Sequence, residues 1–314
     1  MAASESGAHR ARGYLLAALA AACWATGGLM AKWLFLGTGY QVRPAELSGA
    51  RAVIAFAMVL VYLVVFKRGD LRITPRRDLP FLVTFGVLGL AMVHLTYFMA
   101  IERTNVPTAI LLEYLAPILV LIVSVLFLGE RFTWALPAGV ALSVTGCALV
   151  VGAIGGGGLK VSPSGIAWGL ASAVFFAGYT VMGKYAAPRF SAWTLLCYGL
   201  GAAAVFWLVV LGGPAPMLRL LADPTRLAIV TTMSFVSTVV PFSAFLHALK
   251  YIDATKASIT ATLEPVLAGI ATLFIPAMYQ PMSALQVVGA SLVLAAVVVV
   301  QGPGLVRQAV PPAP

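Results

Sequence analysis

Ten apolar runs fill almost the whole chain, at approximately 13–35, 44–66, 79–100, 105–128, 132–152, 163–186, 191–212, 224–249, 254–277 and 282–302. Each is close to the roughly 20 residues that a helix needs to cross a hydrocarbon core of about 30 Å. Lipid cannot satisfy backbone N–H and C=O groups, so such runs must bond internally and are expected as helices. The expected fold is an all-α polytopic membrane protein with about ten transmembrane helices. A composition that is 61% hydrophobic and 10% charged agrees with this and excludes a water-soluble core. The connections are short apart from 67–78 and the glycine run Gly155 to Gly158, which leaves no room for a soluble domain.

The fourth run, PTAILLEYLAPILVLIVSVLFLGER from Pro107, holds a carboxylate and a helix-breaking proline. Pro117 brings no N–H to the carbonyl four residues back, that of Glu113. Side chain and backbone oxygen of Glu113 are therefore offered at one level. An acid at the centre of a spanning helix costs roughly 2.5–3.5 kcal/mol, so Glu113 is expected to face a cavity rather than lipid. About 148 residues later ALKYIDATKASITATLEPVLAGIATLF repeats the pattern, with Ala100/Ala248, Ala109/Ala257, Leu115/Leu263 and Pro117/Pro265 in register and Glu264 beside its proline. By helical rise Glu113 lies roughly 12 Å from one face and Glu264 roughly 15 Å from the other, both near midplane. Paired broken helices in two halves point to a transporter's binding site.

The repeat extends to the start of each half. GYLLAALAAACWATGGLMAKW from Gly13 aligns with GIAWGLASAVFFAGYTVMGKY from Gly165, including Trp24/Phe176, Lys32/Lys184 and Trp33/Tyr185. Two repeats are expected, 13–152 and 163–302, with five spans each. Five is odd, so the second must insert the opposite way up, giving an inverted pair.

Lysine and arginine set the orientation, because cytoplasmic loops hold the excess. Placing Lys67, Arg68, Arg72, Arg76 and Arg77 inside also puts both termini inside, together with Arg131, Lys184, Arg189, Lys250 and Lys256. Of 20 basic residues only Lys32, Arg43, Arg51, Arg103, Lys160, Arg219 and Arg226 fall outside. The net charge of +10 reads as topology, not as a nucleic-acid surface. No cleavable signal peptide is expected, since the first apolar run is too long and lacks a cleavage site.

The run LAPILVLIVSVLFLGERFTW, followed by Gly139 and Gly146, resembles the EamA domain of the drug/metabolite transporter superfamily. There the fourth helix carries a proline and ends in a Gly-Glu pair, where this chain has Gly129 and Glu130. The second copy keeps Pro265 but reads IPAMYQPM where that pair should stand. The resemblance covers nearly the whole chain and implies two repeats in a ten-helix carrier, both termini cytoplasmic, in a bacterial inner membrane. It also implies export of amino acids, nucleotide precursors or drugs. Length and aromatic-rich spans are similar to the YddG group of amino-acid exporters.

Glu113 and Glu264 are expected to meet a substrate ammonium or a proton, or else to serve as hydrogen-bonded structural acids. Trp24, Tyr97 and Tyr179 are the aromatics expected on the pocket wall, with Tyr114, Trp168 and Phe176 weighed beside them. His94 shares a helix face with Tyr97 and could donate to a substrate carboxylate or bond a neighbouring helix. His247 is too far from it to share a metal. Arg51 would bind a carboxylate or reach the interface, and Lys32 and Lys184 would snorkel. Pro241 should kink its helix and strip the Ser237 carbonyl of its donor. Cys23, Cys147 and Cys197 read as packing residues, and Gly27, Gly28, Gly86, Gly89, Gly139, Gly146 and Gly289 as close-approach positions.

No P-loop, HExxH, DDxxD or Gly-x-Ser-x-Gly occurs, so no enzyme and no cofactor is expected. The functional expectation is a carrier for small neutral solutes, above all neutral or aromatic amino acids, working by alternating access. The alternatives are a proton-coupled multidrug carrier of the same fold and a passive channel, although a channel would need a continuous polar stripe. The expected partners are a small-molecule substrate and the bilayer, with no nucleic acid. Oligomeric state is not legible.

Overall fold

The computed structural model describes residues 2–37, 42–153, 162–274 and 282–309. The glycine run Gly155 to Gly158 and most of IPAMYQPM lie outside the described residues, as do the side chains of Lys32 and Trp33. The described chain is helical throughout: α1 (Ala2–Gly37), α2 (Pro44–Phe66), α3 (Pro75–Gly86), α4 (Met92–Arg103), α5 (Val106–Glu113), α6 (Ala116–Phe127), α7 (Ala135–Val150), α8 (Pro163–Ala186), α9 (Ala192–Val210), α10 (Ala215–Leu221), α11 (Pro224–Ser234), α12 (Val240–Tyr251), α13 (Ala254–Ala261), α14 (Leu263–Phe274) and α15 (Ala284–Ala309).

Seven helical stretches are long and apolar enough to span a membrane, and α7 is a shorter apolar helix. With α1 and the α13–α14 pair they form ten rods. Large apolar side chains stay exposed along them, among them Val61, Leu126, Val174, Val209 and Val298. Such a surface is stable against lipid and unstable against water. Helix α10 was not legible in the apolar runs; it is a short helix that follows Gly212 and Gly213, both at positive φ.

Four of the described rods are interrupted, each for a local reason. A π turn at Val87–Ala91 joins α3 to α4, and another at Phe235–Val239 joins α11 to α12, immediately before Pro241. Extra residues in a helix turn release backbone groups for other partners. The α5–α6 rod breaks at Tyr114–Leu115 ahead of Pro117, and the α13–α14 rod breaks at Thr262 ahead of Pro265. All four interruptions keep the 148-residue register between halves.

Packing repeats with the halves exchanged. Helix α1 lies against α12 as α8 lies against α4; α1 meets α13 and α14 as α8 meets α5 and α6; α2 meets α11 as α9 meets α3. The pairs α2–α9 and α7–α15 sit on the pseudo-twofold. The chain is thus two inverted five-helix repeats. Close approach at the α7–α15 pair depends on glycine, since a Cβ on Gly146 would sit 2.8 Å from the Gly289 carbonyl.

Of the basic residues assigned to one side, Arg10, Arg131, Lys184 and Lys256 line one pocket. Arg189 pairs with Asp78, Thr194 Oγ1 donates to the Asp70 carbonyl at 2.8 Å, and Glu130 reaches Ala254 and Thr255. Two expected roles change. Lys184 does not snorkel: its Nζ donates to the carbonyls of Leu249 (2.9 Å) and Ile252 (2.8 Å) and so caps the end of α12. Arg51 does not reach the interface, being 3% exposed and bonded to the next repeat.

Candidate functional site

The proline-stripped carbonyls organise the centre of the bundle. Arg51 of α2 sends Nη2 to the Ser237 carbonyl (3.0 Å), Ser237 Oγ (3.0 Å) and Thr238 Oγ1 (2.7 Å). Residue 241 would have been the helical donor to that carbonyl, and Pro241 has no N–H. A buried guanidinium needs partners in a low dielectric, and the π turn supplies them. Phe98 lies under the same cation, 5.3 Å from ring centroid to Cζ. Gly27 lets α1 close on this turn, because a Cβ there would lie 2.6 Å from Ser237.

At the α13–α14 break the orphaned carbonyl is that of Ala261, four residues before Pro265. Tyr114 fills the place: its hydroxyl lies 2.9 Å from the Ala261 carbonyl and 2.7 Å from Glu264 Oε2. Its own break thereby holds the other repeat's break. Glu113 is turned the other way, accepting a hydrogen bond from Ser172 of α8.

Between these groups lies a cavity of about 50 Å³ lined by Trp24, Gly27, Gly28, Arg51, Val93, His94, Tyr97, Phe98, Glu113, Phe176, Met233, Ser237, Phe242 and Glu264. It has room for a few water molecules only, against roughly 300–1,000 Å³ for ordinary ligand cavities. As it stands the cavity is too small for an organic solute.

Five of the six expected site residues line this cavity: Glu113, Glu264, Trp24, His94 and Tyr97. Tyr179 stands one layer back. It is fully buried between Phe85, Phe242 and Phe245, with its hydroxyl 3.3 Å from the Phe242 carbonyl. The wall position belongs to Phe242, which stacks edge-on to Trp24 at 5.3 Å, as Phe176 does at 5.7 Å. Tyr114 is a buried latch, not a wall residue, and Trp168 packs on the apolar core.

Among the described residues three polar atoms in the lining have no protein partner: Arg51 Nε, His94 Nε2 and Tyr97 Oη. Buried polar atoms are ordinarily paired, so three in one cavity offer bonds that a polar ligand can take. They differ in what they can offer. His94 is bonded to the Leu90 carbonyl, which requires a ring N–H there and leaves Nε2 an acceptor in the neutral ring. Arg51 and Tyr97 are the donors. Arg51 stands outside the six site residues expected from sequence, since nothing in the pattern shows that a π turn will draw it into the centre. Among the described residues no group of His, Cys, Asp and Glu is placed to hold a metal.

The profile of the EamA-like transporter family matches residues 11–152 and 163–301. This chain belongs to that family. The transporter is 29% identical over 228 residues to an uncharacterized transporter of Archaeoglobus fulgidus, covering 72% of this chain and 76% of that one. It is 24% identical over 274 residues to the uncharacterized inner membrane transporter YicL of Salmonella typhimurium, covering 84% and 87%. A probable terminal-alkyne amino-acid exporter of Streptantibioticus cattleyicolor matches at 33% over 136 residues, only 43% of the transporter and 44% of the exporter. One solved crystal structure superposes with a TM-score of 0.76 over 95% of the transporter and 99% of that chain, at 20% identity, which establishes the shared fold.

Proposed function

We propose that the transporter exports small neutral amino acids, aromatic and apolar ones above all, by alternating access of repeats 13–152 and 163–302. In this reading it sits in a bacterial inner membrane with both termini cytoplasmic. One observation supports the substrate class: groups suited to both halves of a zwitterion line one cavity. Glu113 and Glu264, from α5 and α14, suit an ammonium. Arg51 Nε and Tyr97 Oη, from α2 and α4, are unpaired donors for a carboxylate. Trp24, Phe176 and Phe242 give an apolar side chain its wall. The name of the Streptantibioticus relative supports amino-acid export, and that of YicL supports the inner membrane.

A lipophilic cation would use the acids and the aromatic wall but not the donors, so the donors separate amino-acid from multidrug export. The test measures labelled neutral amino acids and a lipophilic cation in liposomes, with and without a pH gradient, for wild type, Tyr97→Phe and Arg51→Lys. A lost charge-assisted bond of about 1.5–3 kcal/mol predicts amino-acid affinity lower by roughly ten- to a hundredfold, with the cation little changed. Unaltered amino-acid transport in both variants would remove the zwitterion site, and cation transport alone would favour the multidrug reading.

A further inference from the structure

The Tyr114 hydroxyl sits between two acceptors, the Ala261 carbonyl at 2.9 Å and Glu264 Oε2 at 2.7 Å. A hydroxyl carries one proton. If Glu264 is ionised, both oxygens compete for that proton, and the carbonyl has no other helical donor because residue 265 is proline. If Glu264 is protonated, each contact has a proton of its own: Glu264 Oε2–H donates to the Tyr114 oxygen, and Tyr114 O–H donates to Ala261. From this geometry we propose that Glu264 is a proton-binding site whose proton latches the two broken helices together through Tyr114.

Loss of the proton to the cavity turns the Tyr114 O–H toward the carboxylate. The Ala261 carbonyl is then left without a donor in a buried break, and the link between the α5–α6 and α13–α14 breaks is reduced to one contact. A proton is thereby coupled to the two elements that a rocking motion must separate. The groups facing Glu264 from the packed elements are Glu113 and Tyr114 of the α5–α6 break, Tyr97 and His94 of α4, Arg51 of α2 and Cys147 of α7. Helix α1 brings Trp24 and Gly27 to this level, and α15 has no charged residue before Arg307. Among the described residues Glu113 is the other acid that lines this cavity, and it acts on Glu264 by like-charge repulsion. The proposal shares its cavity with the amino-acid reading but needs no substrate to be tested.

The test is a pH titration of the purified protein in lipid followed by infrared difference spectroscopy in the protonated-carboxyl C=O region. A component should be present in wild type, absent in Glu264→Gln and retained in Glu113→Gln, where removal of the like charge moves its midpoint to lower pH. Tyr114→Phe takes two contacts from the protonated form and one charge-assisted contact from the ionised form, so the losses offset and the midpoint should move little. Pro265→Ala gives the Ala261 carbonyl a backbone N–H and releases the Tyr114 proton for the carboxylate, so the midpoint should fall by about one pH unit, the worth of one hydrogen bond. On a Tyr114→Phe background the same Pro265→Ala change should leave the midpoint in place, because there is no hydroxyl to release, and that dependence supports the latch. No component lost in Glu264→Gln, no fall in Pro265→Ala, or an equal fall with and without Tyr114 would overturn it, whatever the transporter carries.

Discussion

The two broken rods share a register but not a chemistry. Pro117 and Pro265 correspond, so Glu113 stands where the second repeat has Ala261, and Glu264 stands where the first has Ala116. Each half carries its acid where the other carries alanine. The orphaned carbonyls belong to Glu113 and Ala261, at equivalent positions, yet Tyr114 serves only the second, because its counterpart Thr262 turns its hydroxyl back to the Ile259 carbonyl at 2.6 Å. The difference teaches that an inverted repeat fixes where the chain breaks and leaves each break free to specialise. Glu113 is held from the side by Ser172, whereas Glu264 is tied into the joint between the halves.

The sharpest way to break this comparison is to neutralise the acid that is not part of the joint. Glu113→Gln keeps shape and part of the bonding to Ser172 but offers no charge, so transport should fall roughly ten- to a hundredfold while the thermal midpoint in detergent barely moves. Wild-type transport across the neutral pH range would show that the charge is not used.

A double-mutant cycle then measures how much of the joint the proline creates. Tyr114→Phe alone should cost about 1–3 kcal/mol of stability, because a buried carbonyl and a buried acid both lose a partner. On a Pro265→Ala background the cost should shrink by about 1 kcal/mol, since the amide at 265 now serves Ala261. Equal costs on both backgrounds would mean that the hydroxyl and the proline are independent.

A smaller effect concerns the far end of α13. Gly129, at φ 68°, closes α6, and Glu130 then accepts from the Ala254 amide at 2.5 Å and from Thr255 Oγ1 at 2.7 Å, capping α13. The first repeat thus caps the second repeat's broken rod, and the positions where the second would return the favour lie outside the described residues. Glu130→Ala should cost about 1 kcal/mol, a thermal-midpoint loss of roughly 2 °C.

The smallest effect is in pH. Burial raises the Glu130 carboxyl above its ordinary value, with Asp253 adding to the rise, against the bonds from Thr255 and Ala254. A raised folded value favours the protonated folded state. Its contribution is complete below the unfolded value of about 4.3 and is lost as pH climbs through the folded value. The thermal midpoint of wild type should therefore decline over that window relative to Glu130→Gln, and parallel profiles would remove Glu130 from the balance.

Much of this architecture was legible in the chain. Span length, the Lys and Arg distribution and the Pro117/Pro265 register follow from local constraints: bilayer thickness, backbone satisfaction in lipid, and the missing N–H of proline. Both acids were legible for the same reason, since a carboxylate at midplane must face something polar. The partners were not. That Arg51 would take the Ser237 carbonyl, that Tyr114 would take Ala261's, and that Phe242 rather than Tyr179 would form the wall depend on helix rotation and on a π turn at Phe235–Val239. A repeating apolar pattern leaves rotation unspecified where every face is apolar. Sequence alone determined which backbone oxygens would be orphaned; tertiary structure decided which side chains answer them, because a donor two helices away is chosen by packing and not by spacing along the chain.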